Sequence, residues 1–271
     1  MTSPQMHSSV SHHARVYWML QKNFVKSRMA YRADFLISSV GLVTQGLLNL
    51  GVLWVLLDAS GQLAGWTFDD IVFIYAFYLL AISPYQIVFE NMWELRFSLQ
   101  EGAFLKYYFR PLNMLVYFLA EKIDLKGISQ LVLAVGLMGW ASSNAGVAWG
   151  FGNLLLFLLA LAGAAITFGA IFMLTSCAGF WIINSWPVLA FMLRVRDMAP
   201  FPTNVFSGAL RFFLTFVLPV TFVAYVPASE LLAEAPSILR MLSPIPVGLL
   251  LAALAYAVWL AGVRHYDGTG S

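Results

Sequence analysis

Charge is scarce in this chain of 271 residues. Asp, Glu, Lys and Arg together make up 10% of the sequence, whereas 61% of the residues are apolar and the mean hydropathy is +0.79. Soluble domains contain about 25% charged and about 45–50% apolar residues. A water-soluble core of this size cannot enclose so much apolar surface. The composition therefore excludes a soluble globular domain, a disordered chain and a nucleic-acid-binding domain.

Cysteine and histidine are nearly absent from the apolar part of the chain. Cys177 is the only cysteine, so no disulfide framework or thiolate metal site can form, and its apolar surroundings predict a buried, inert thiol. The four histidines lie near the two ends, at His7, His12, His13 and His265. No glycine-rich phosphate loop or H-E-x-x-H zinc motif occurs. The sequence thus predicts no catalytic residue, metal or cofactor held by this chain itself.

Long uncharged runs predict an all-α integral membrane protein with six transmembrane helices. Residues 35–57 form an uncharged run of 23, and residues 127–193 contain no charge in 67 positions, which is enough for two crossings. We expect a membrane domain over residues 34–264, followed by a tail at 265–271. The expected spans are 35–57, 71–89, 124–141, 151–183, 206–226 and 241–263.

The first 33 residues combine a polar tail with a basic, amphipathic stretch. Val16, Leu20 and Phe24 can share one helical face, while Lys22 and Lys26 lie elsewhere on the helix. This pattern is typical of a helix that lies in the membrane interface. We therefore predict an N-terminal interfacial elbow helix before the first span.

The positions of the basic residues predict the orientation. With six spans and both termini in the cytoplasm, 14 of the 15 Lys and Arg residues fall in the inner segments, and only Arg240 falls outside. The inner set includes Arg194 and Arg196, which follow the fourth expected span. Such a distribution satisfies the positive-inside rule and predicts a multi-pass protein of the lipid bilayer with cytoplasmic termini.

A charged and aromatic stretch separates the second and third expected spans. Residues 94–109 form a candidate helix with a break at Gly102, and Arg110-Pro111 ends it. Arg, Tyr and Phe are common anchors of protein interfaces. An amphipathic helix that rests on lipid explains the same composition.

Several short motifs stand out along the chain. They are Glu101-Gly102-Ala103-Phe104, Arg110-Pro111-Leu112-Asn113, Ala199-Pro200-Phe201-Pro202, the run from Leu210 to Val220, Tyr225-Val226-Pro227-Ala228 and the tail that starts at Arg264-His265-Tyr266. These motifs resemble those of ABC-2 type transporter permeases, in particular a bacterial subgroup of similar length with six spans. The resemblance covers nearly the whole chain, although Lys106 stands where the family pattern has an acidic residue.

The resemblance implies a permease subunit of an ATP-driven exporter in the bacterial cytoplasmic (inner) membrane. Two permease chains, identical or related, would pair, and each would dock an ATP-binding subunit through a coupling helix in the first inner connection. ATP and magnesium would be bound by that partner subunit. The residues that the resemblance assigns to ATPase coupling are Glu101, Gly102, Phe104, Tyr107, Arg110 and Pro111.

The resemblance also implies that the first two spans border the cavity between the paired permeases. Polar and aromatic side chains on these spans are therefore candidates for the translocation path, although hydrogen bonds between helices and interfacial anchoring explain them equally well. The candidates are Gln45, Asn49, Tyr78, Tyr85 and Glu90.

Two other functions are compatible with the sequence. A secondary carrier or channel would work without an ATPase, but such carriers keep ionisable groups near the bilayer centre, and the centres of the expected spans have almost none. A membrane anchor or assembly factor would need no transport path. The scarcity of charge favours a protein that takes its energy from a partner.

Overall fold

The computed structural model describes residues 32–60, 65–89, 91–109, 113–121 and 126–266. The expected elbow helix lies outside these residues. The described part is helical throughout, which confirms the all-α class. Its helices are α1 (Arg32–Ser60), α2 (Phe68–Val88), α3 (Asn91–Gln100), α4 (Met114–Ala120), α5 (Lys126–Asn144), α6 (Phe151–Cys177), α7 (Trp186–Arg196), α8 (Gly208–Phe212), α9 (Tyr225–Leu232), α10 (Ile238–Met241) and α11 (Pro244–His265).

Four helical stretches of the described residues are long and apolar enough to cross a membrane. They are Leu36–Val55, Phe68–Val88, Phe151–Phe180 and Ile238–His265. These stretches overlap the first, second, fourth and sixth expected spans, and they confirm a multi-pass membrane protein. The third expected span overlaps α5, which is less apolar because it includes Lys126, Gln130 and Asn144.

The fifth expected span, 206–226, is not one continuous helix. After α8 come a π-helical turn at Phe213–Val217, a break, a 3-10 turn at Val220–Val223 and then α9. Pro219 explains the break, because proline has no N–H to donate and disfavours helical dihedrals in the preceding residue. Leu218 accordingly has φ −119° and ψ 88°. Hydropathy does not reveal such a break, since the residues on both sides are apolar.

The helix α2 lies at the centre of the fold. Every residue from 71 to 83 is buried, and α5 and α6 pack against it. Thr67 starts the helix: its hydroxyl oxygen accepts a bond from the Asp70 N–H, and the Asp70 carboxylate accepts one from the Thr67 N–H. A helix that is apolar on all sides is stable in such a position because other helices cover all of its faces.

Glycines allow α6 and α11 to approach closely. A β-carbon at Gly163 would lie 2.7 Å from the Ile245 nitrogen, and one at Gly248 would lie 2.8 Å from Thr167 Oγ1. The Thr167 hydroxyl donates to the carbonyls of Gly163 and Pro244, which joins the two helices. Small residues permit this spacing between membrane helices. Cys177, at the end of α6, is buried, as predicted.

We expect Gly248→Ala to destabilise the protein. The new methyl group would overpack the contact between α6 and α11, and such overpacking costs about 1–3 kcal/mol. The control is Gly136→Ala on α5, where a β-carbon meets no atom within 4 Å and where alanine is the better helix former. Thermal unfolding of both variants in detergent checks the prediction, and equal melting temperatures would contradict it.

Candidate functional site

Residues 91–121 form the connecting segment between α2 and α5. Its first helix, α3, ends at a tight turn in which Gly102 has φ +72°, so the helix expected over 94–109 consists of α3 and a separate 3-10 turn at Ala103–Tyr107. A β-carbon at Gly102 would meet no atom within 4 Å. Glycine is therefore required here for its backbone conformation and not for lack of space.

Phe104 anchors the connecting segment to the rest of the fold. Its side chain is completely buried, with 0% exposure, and it packs edge-on against rings from three other parts of the chain. Its ring centroid lies 5.5 Å from that of Phe180, 5.8 Å from that of Trp259 and 5.5 Å from that of Tyr266. The 3-10 turn is thereby fixed to the end of α6 and to the end of α11.

Tyr107 and Lys106 fix the 3-10 turn to α4 through one carboxylate. The buried Tyr107 hydroxyl donates to Glu121 Oε2, and Lys106 Nζ lies 2.5 Å from Glu121 Oε1. Burial and the neighbouring carboxylate raise the pKa of Tyr107. The lysine that departs from the family pattern therefore has a carboxylate partner within the same segment.

Further hydrogen bonds clamp the connecting segment to its surroundings. The Tyr108 hydroxyl donates to the Val263 carbonyl at 2.5 Å, and the Tyr266 hydroxyl donates to the Leu99 carbonyl at 3.0 Å. Asn91 donates to the Phe118 carbonyl within the segment. The first two of these bonds join the connecting segment to the end of α11 and to Tyr266.

The outer side of the connecting segment presents an exposed surface with both apolar and charged side chains. Glu101, Ala103, Leu105, Lys106, Tyr108 and Phe109 form this exposed face, and 85% of the Phe109 side chain is accessible. Of the residues that the sequence assigned to ATPase coupling, Glu101 is exposed and Gly102 is half-buried. Phe104 and Tyr107 are buried, so they can hold the face in position but cannot touch a partner. Arg110 and Pro111 lie outside the described residues.

A cavity of about 530 Å³ lies between α1, α2, α5 and the residues that follow α7. It brings together three of the predicted path residues, Gln45, Asn49 and Tyr78. Leucine, isoleucine and phenylalanine side chains form much of the remaining wall. The polar lining residues are Gln45, Asn49, Tyr75, Tyr78, Gln86, Gln130, Arg196 and Asp197.

The polar side chains of α1 and α2 form a short network on the cavity wall. Gln45 Nε2 donates to Asn49 Oδ1 at 3.2 Å, and Asn49 Nδ2 donates to the Tyr75 hydroxyl at 3.4 Å. Tyr75 in turn donates to the Gly46 carbonyl at 3.4 Å. Tyr75 and Tyr78 are three residues apart and therefore neighbours on α2, and both line the cavity.

Tyr85 is a predicted path residue that does not line the cavity. The Tyr85 ring packs against α6, with centroid distances of 5.0 Å to Phe168 and 4.4 Å to Phe172. Tyr85 follows Pro84, which interrupts the hydrogen bonding of α2. Glu90 lies outside the described residues.

The structure places Arg196 at the cavity. The α7 helix begins beside α3, where the ring centroids of Trp186 and Trp93 are 5.5 Å apart. It ends at Arg196, which lines the same cavity as Tyr78. The α2 residues at this cavity run from Tyr75 to Gln86, so Arg196 lies near the second half of α2. Counting charges between apolar runs does not reveal this proximity, because it depends on how α7 packs in the fold.

Arg196 and its neighbour Asp197 form an ion pair at the cavity. Arg196 Nε and Nη2 both donate to Asp197 Oδ1, at 3.2 and 3.1 Å. The arginine side chain is 26% exposed and the aspartate side chain 56%. Of the residues known to line the cavity, in the part of the chain that the structure describes, these two alone carry charge.

Comparison with known proteins gives one result. Residues 43–270 match the family model described as ABC-2 family transporter protein, and the matched range contains both the connecting segment and the cavity. No match was found among curated proteins or among solved structures.

Proposed function

The chain belongs to the ABC-2 family of transporter proteins, and from this premise we propose that it is the permease subunit of an ATP-driven exporter in the bacterial cytoplasmic membrane. Family membership implies a permease component of an ABC transporter. A separate ATP-binding subunit would bind ATP and magnesium and would dock on the exposed face of the connecting segment. Two permease chains would form the membrane part of the exporter.

We propose six crossings, with both termini and the connecting segment in the cytoplasm. The 19 residues of α5 extend about 28 Å, close to the thickness of the hydrocarbon core. The chain from α7 to α9 supports a fifth, broken crossing. Trp186 lies beside Trp93, just beyond the end of α2, whereas Tyr225 lies beside Trp66, just before its start. Residues 186–225 therefore pass from one end of α2 to the other.

The clamping of the connecting segment is the observation that carries the coupling proposal. Phe104 and Tyr108 join the segment to the end of α11. A movement of the exposed face would therefore be transmitted to a spanning helix through direct contacts. Glu101, Leu105 and Phe109 would contact the ATPase, together with Arg110 and Pro111. Phe104 and Tyr107 would position this face, and Gly102 would set the turn before it.

We propose that the cavity between α1 and α2 is part of the translocation path. It holds polar side chains within helices that are otherwise apolar, and such side chains often mark a substrate path in membrane proteins. The apolar side chains of α1, among them Ile37 and Val55, are largely exposed. A second permease chain placed along α1 would cover them and close the open side of the cavity.

Charge reversal at Glu101 tests the docking proposal. We expect Glu101→Arg to weaken co-purification of a co-expressed ATP-binding subunit about tenfold, because like charges across an interface repel and tenfold equals about 1.4 kcal/mol. The matched control is Glu234→Arg, an exposed acid on the side of the protein that we propose to face outward. Equal loss or equal retention of the ATP-binding subunit in the two variants would contradict the proposal.

The Arg196–Asp197 pair favours a second candidate function. Ionisable side chains at a cavity between the helices are a feature of ion-driven carriers, so the alternative is a self-contained secondary carrier or channel. The chain reconstituted alone in liposomes separates the two functions. A carrier or channel dissipates an imposed proton or sodium gradient without ATP, whereas a permease subunit leaves the gradient intact.

A further inference from the structure

The cavity beside α1 combines three features of a binding site for an amphiphile. Its volume of about 530 Å³ is within the range of about 300–1,000 Å³ that holds small organic ligands. Its lining includes apolar side chains, among them Leu79, Ile82 and Phe201. The charged pair of Arg196 and Asp197 lies at the same cavity.

The two members of the pair differ in how they can respond to a ligand. Arg196 is the less exposed partner, at 26% against 56% for Asp197. Its bonds to Asp197 use Nε–H and one N–H of Nη2, out of five N–H groups on a guanidinium. Both bonds end on a single carboxylate oxygen, so the pair is not the two-oxygen fork that makes Arg–carboxylate pairs strong. An anionic group from outside can therefore replace or join the Asp197 carboxylate.

Polar side chains of the lining also suit a ligand. Tyr75 and Asn49 place hydroxyl and amide groups at the cavity. The Gln86 side chain has a buried amide oxygen that lacks a hydrogen-bond partner in the described part of the chain. Buried polar atoms are normally paired, so this oxygen can accept a hydrogen bond from a hydroxyl or N–H group of a ligand.

On these observations we propose that Arg196 and Asp197 form an exchangeable ion pair that selects amphiphilic anions as cargo. The anionic head of the ligand is a carboxylate or a phosphate, and two of its oxygens accept hydrogen bonds from the guanidinium of Arg196. The Asp197 carboxylate is then released toward solvent. The apolar body of the ligand lies against Leu79, Ile82 and Phe201. The inference rests on the proposed function, because it assigns a cargo class to the proposed path.

Equilibrium binding to the purified chain, without ATP or a partner, tests this assignment. The probe is dansyl-labelled undecanoic acid, and dansyl-labelled undecanol is its neutral counterpart. We expect the acid to bind at least about tenfold more tightly than the alcohol, because a two-oxygen bond to guanidinium is charge-assisted. Dodecanoate and dodecyl phosphate displace the acid, and their relative strength identifies the preferred head group. Equal binding of acid and alcohol would overturn the proposal.

Variants of the pair separate charge recognition from a merely structural role. We expect Arg196→Gln to weaken binding of the acid about tenfold and to leave the alcohol unchanged, while Asp197→Asn strengthens binding of the acid because the internal competitor has lost its charge. Arg194→Gln, on the same helix but outside the cavity lining, is the matched control. If Arg196→Gln does not fold, Asp197→Asn decides alone, and weaker binding of the acid to it would overturn the proposal.

The result of the binding experiment can be distinguished from the result of the co-purification experiment that tests the proposed function. If the ATP-binding subunit does not co-purify but the acid binds as expected, the exporter assignment is wrong and the binding site stands. If the subunit co-purifies but acid and alcohol bind equally, the exporter assignment stands and the cargo class is wrong.

Discussion

Phe104→Ala is expected to lower the free energy of unfolding by about 3–5 kcal/mol, the usual cost of removing a buried aromatic ring. The ring is completely buried, and it joins the connecting segment to Phe180 and Trp259. Its loss leaves a cavity at the point where the segment, the end of α6 and the end of α11 meet. Thermal unfolding of the purified variant in detergent measures the effect.

Phe109→Ala is the matched control for this prediction. Phe109 lies in the same segment, but 85% of its side chain is exposed, so its removal should change stability by less than about 0.5 kcal/mol. For the affinity of the ATP-binding subunit we expect the larger loss from Phe109→Ala, because Phe109 belongs to the proposed contact face. Equal melting temperatures for the two variants would show that Phe104 is not the anchor that its burial indicates.

Gly102→Val is expected to weaken docking of the ATP-binding subunit by about 5- to 150-fold while membrane insertion is retained. The fold-range corresponds to a backbone strain of about 1–3 kcal/mol, which a β-branched residue incurs at positive φ. Gly102 has φ +72°, and the space around its α-carbon is open, so the strain arises from the backbone alone. Titration of the purified ATP-binding subunit against the variant in nanodiscs measures the loss.

Gly102→Asn separates backbone strain from side-chain bulk. Asparagine tolerates the left-handed conformation much better than valine, and the open space accepts either side chain. We therefore expect Gly102→Asn to dock nearly as well as the natural chain. If valine and asparagine have the same effect, the conformation of this turn does not control docking.

The sequence predicted the long spans because their signal is simple. An uncharged run of 23 residues is stable only in lipid or in a protein core. The helix α1 contains this run and extends only three residues beyond it at each end. The course of residues 186–226 could not be predicted in the same way. Pro219 breaks the helix that was expected over 206–226, and the placement of α7 depends on packing between residues distant in sequence, such as Trp93 and Trp186. Hydropathy averages over both features.

In the candidate sites, too, the positions that depend on neighbouring residues were predicted, and the positions that depend on packing with distant residues were not. Gln45 and Asn49 were predicted together because residues one helical turn apart face the same way, and both line the cavity. The Tyr85 ring packs against the neighbouring helix α6, and the sequence pattern of α2 does not reveal this neighbour. Similarly, composition showed that the connecting segment is rich in aromatic residues, but only the fold separates the buried Phe104 from the exposed Phe109.

Cross-linking at the exposed face tests the central claim most directly. The only natural cysteine, Cys177, is buried, so Leu105→Cys introduces a single accessible thiol on the connecting segment. With the ATP-binding subunit co-expressed, we expect a cross-linker with one maleimide and one photoreactive diazirine to join Leu105→Cys to that subunit, whereas Ala235→Cys, exposed on the proposed outer side, gives no product. A product from Ala235→Cys and none from Leu105→Cys would contradict both the proposed orientation and the proposed docking face.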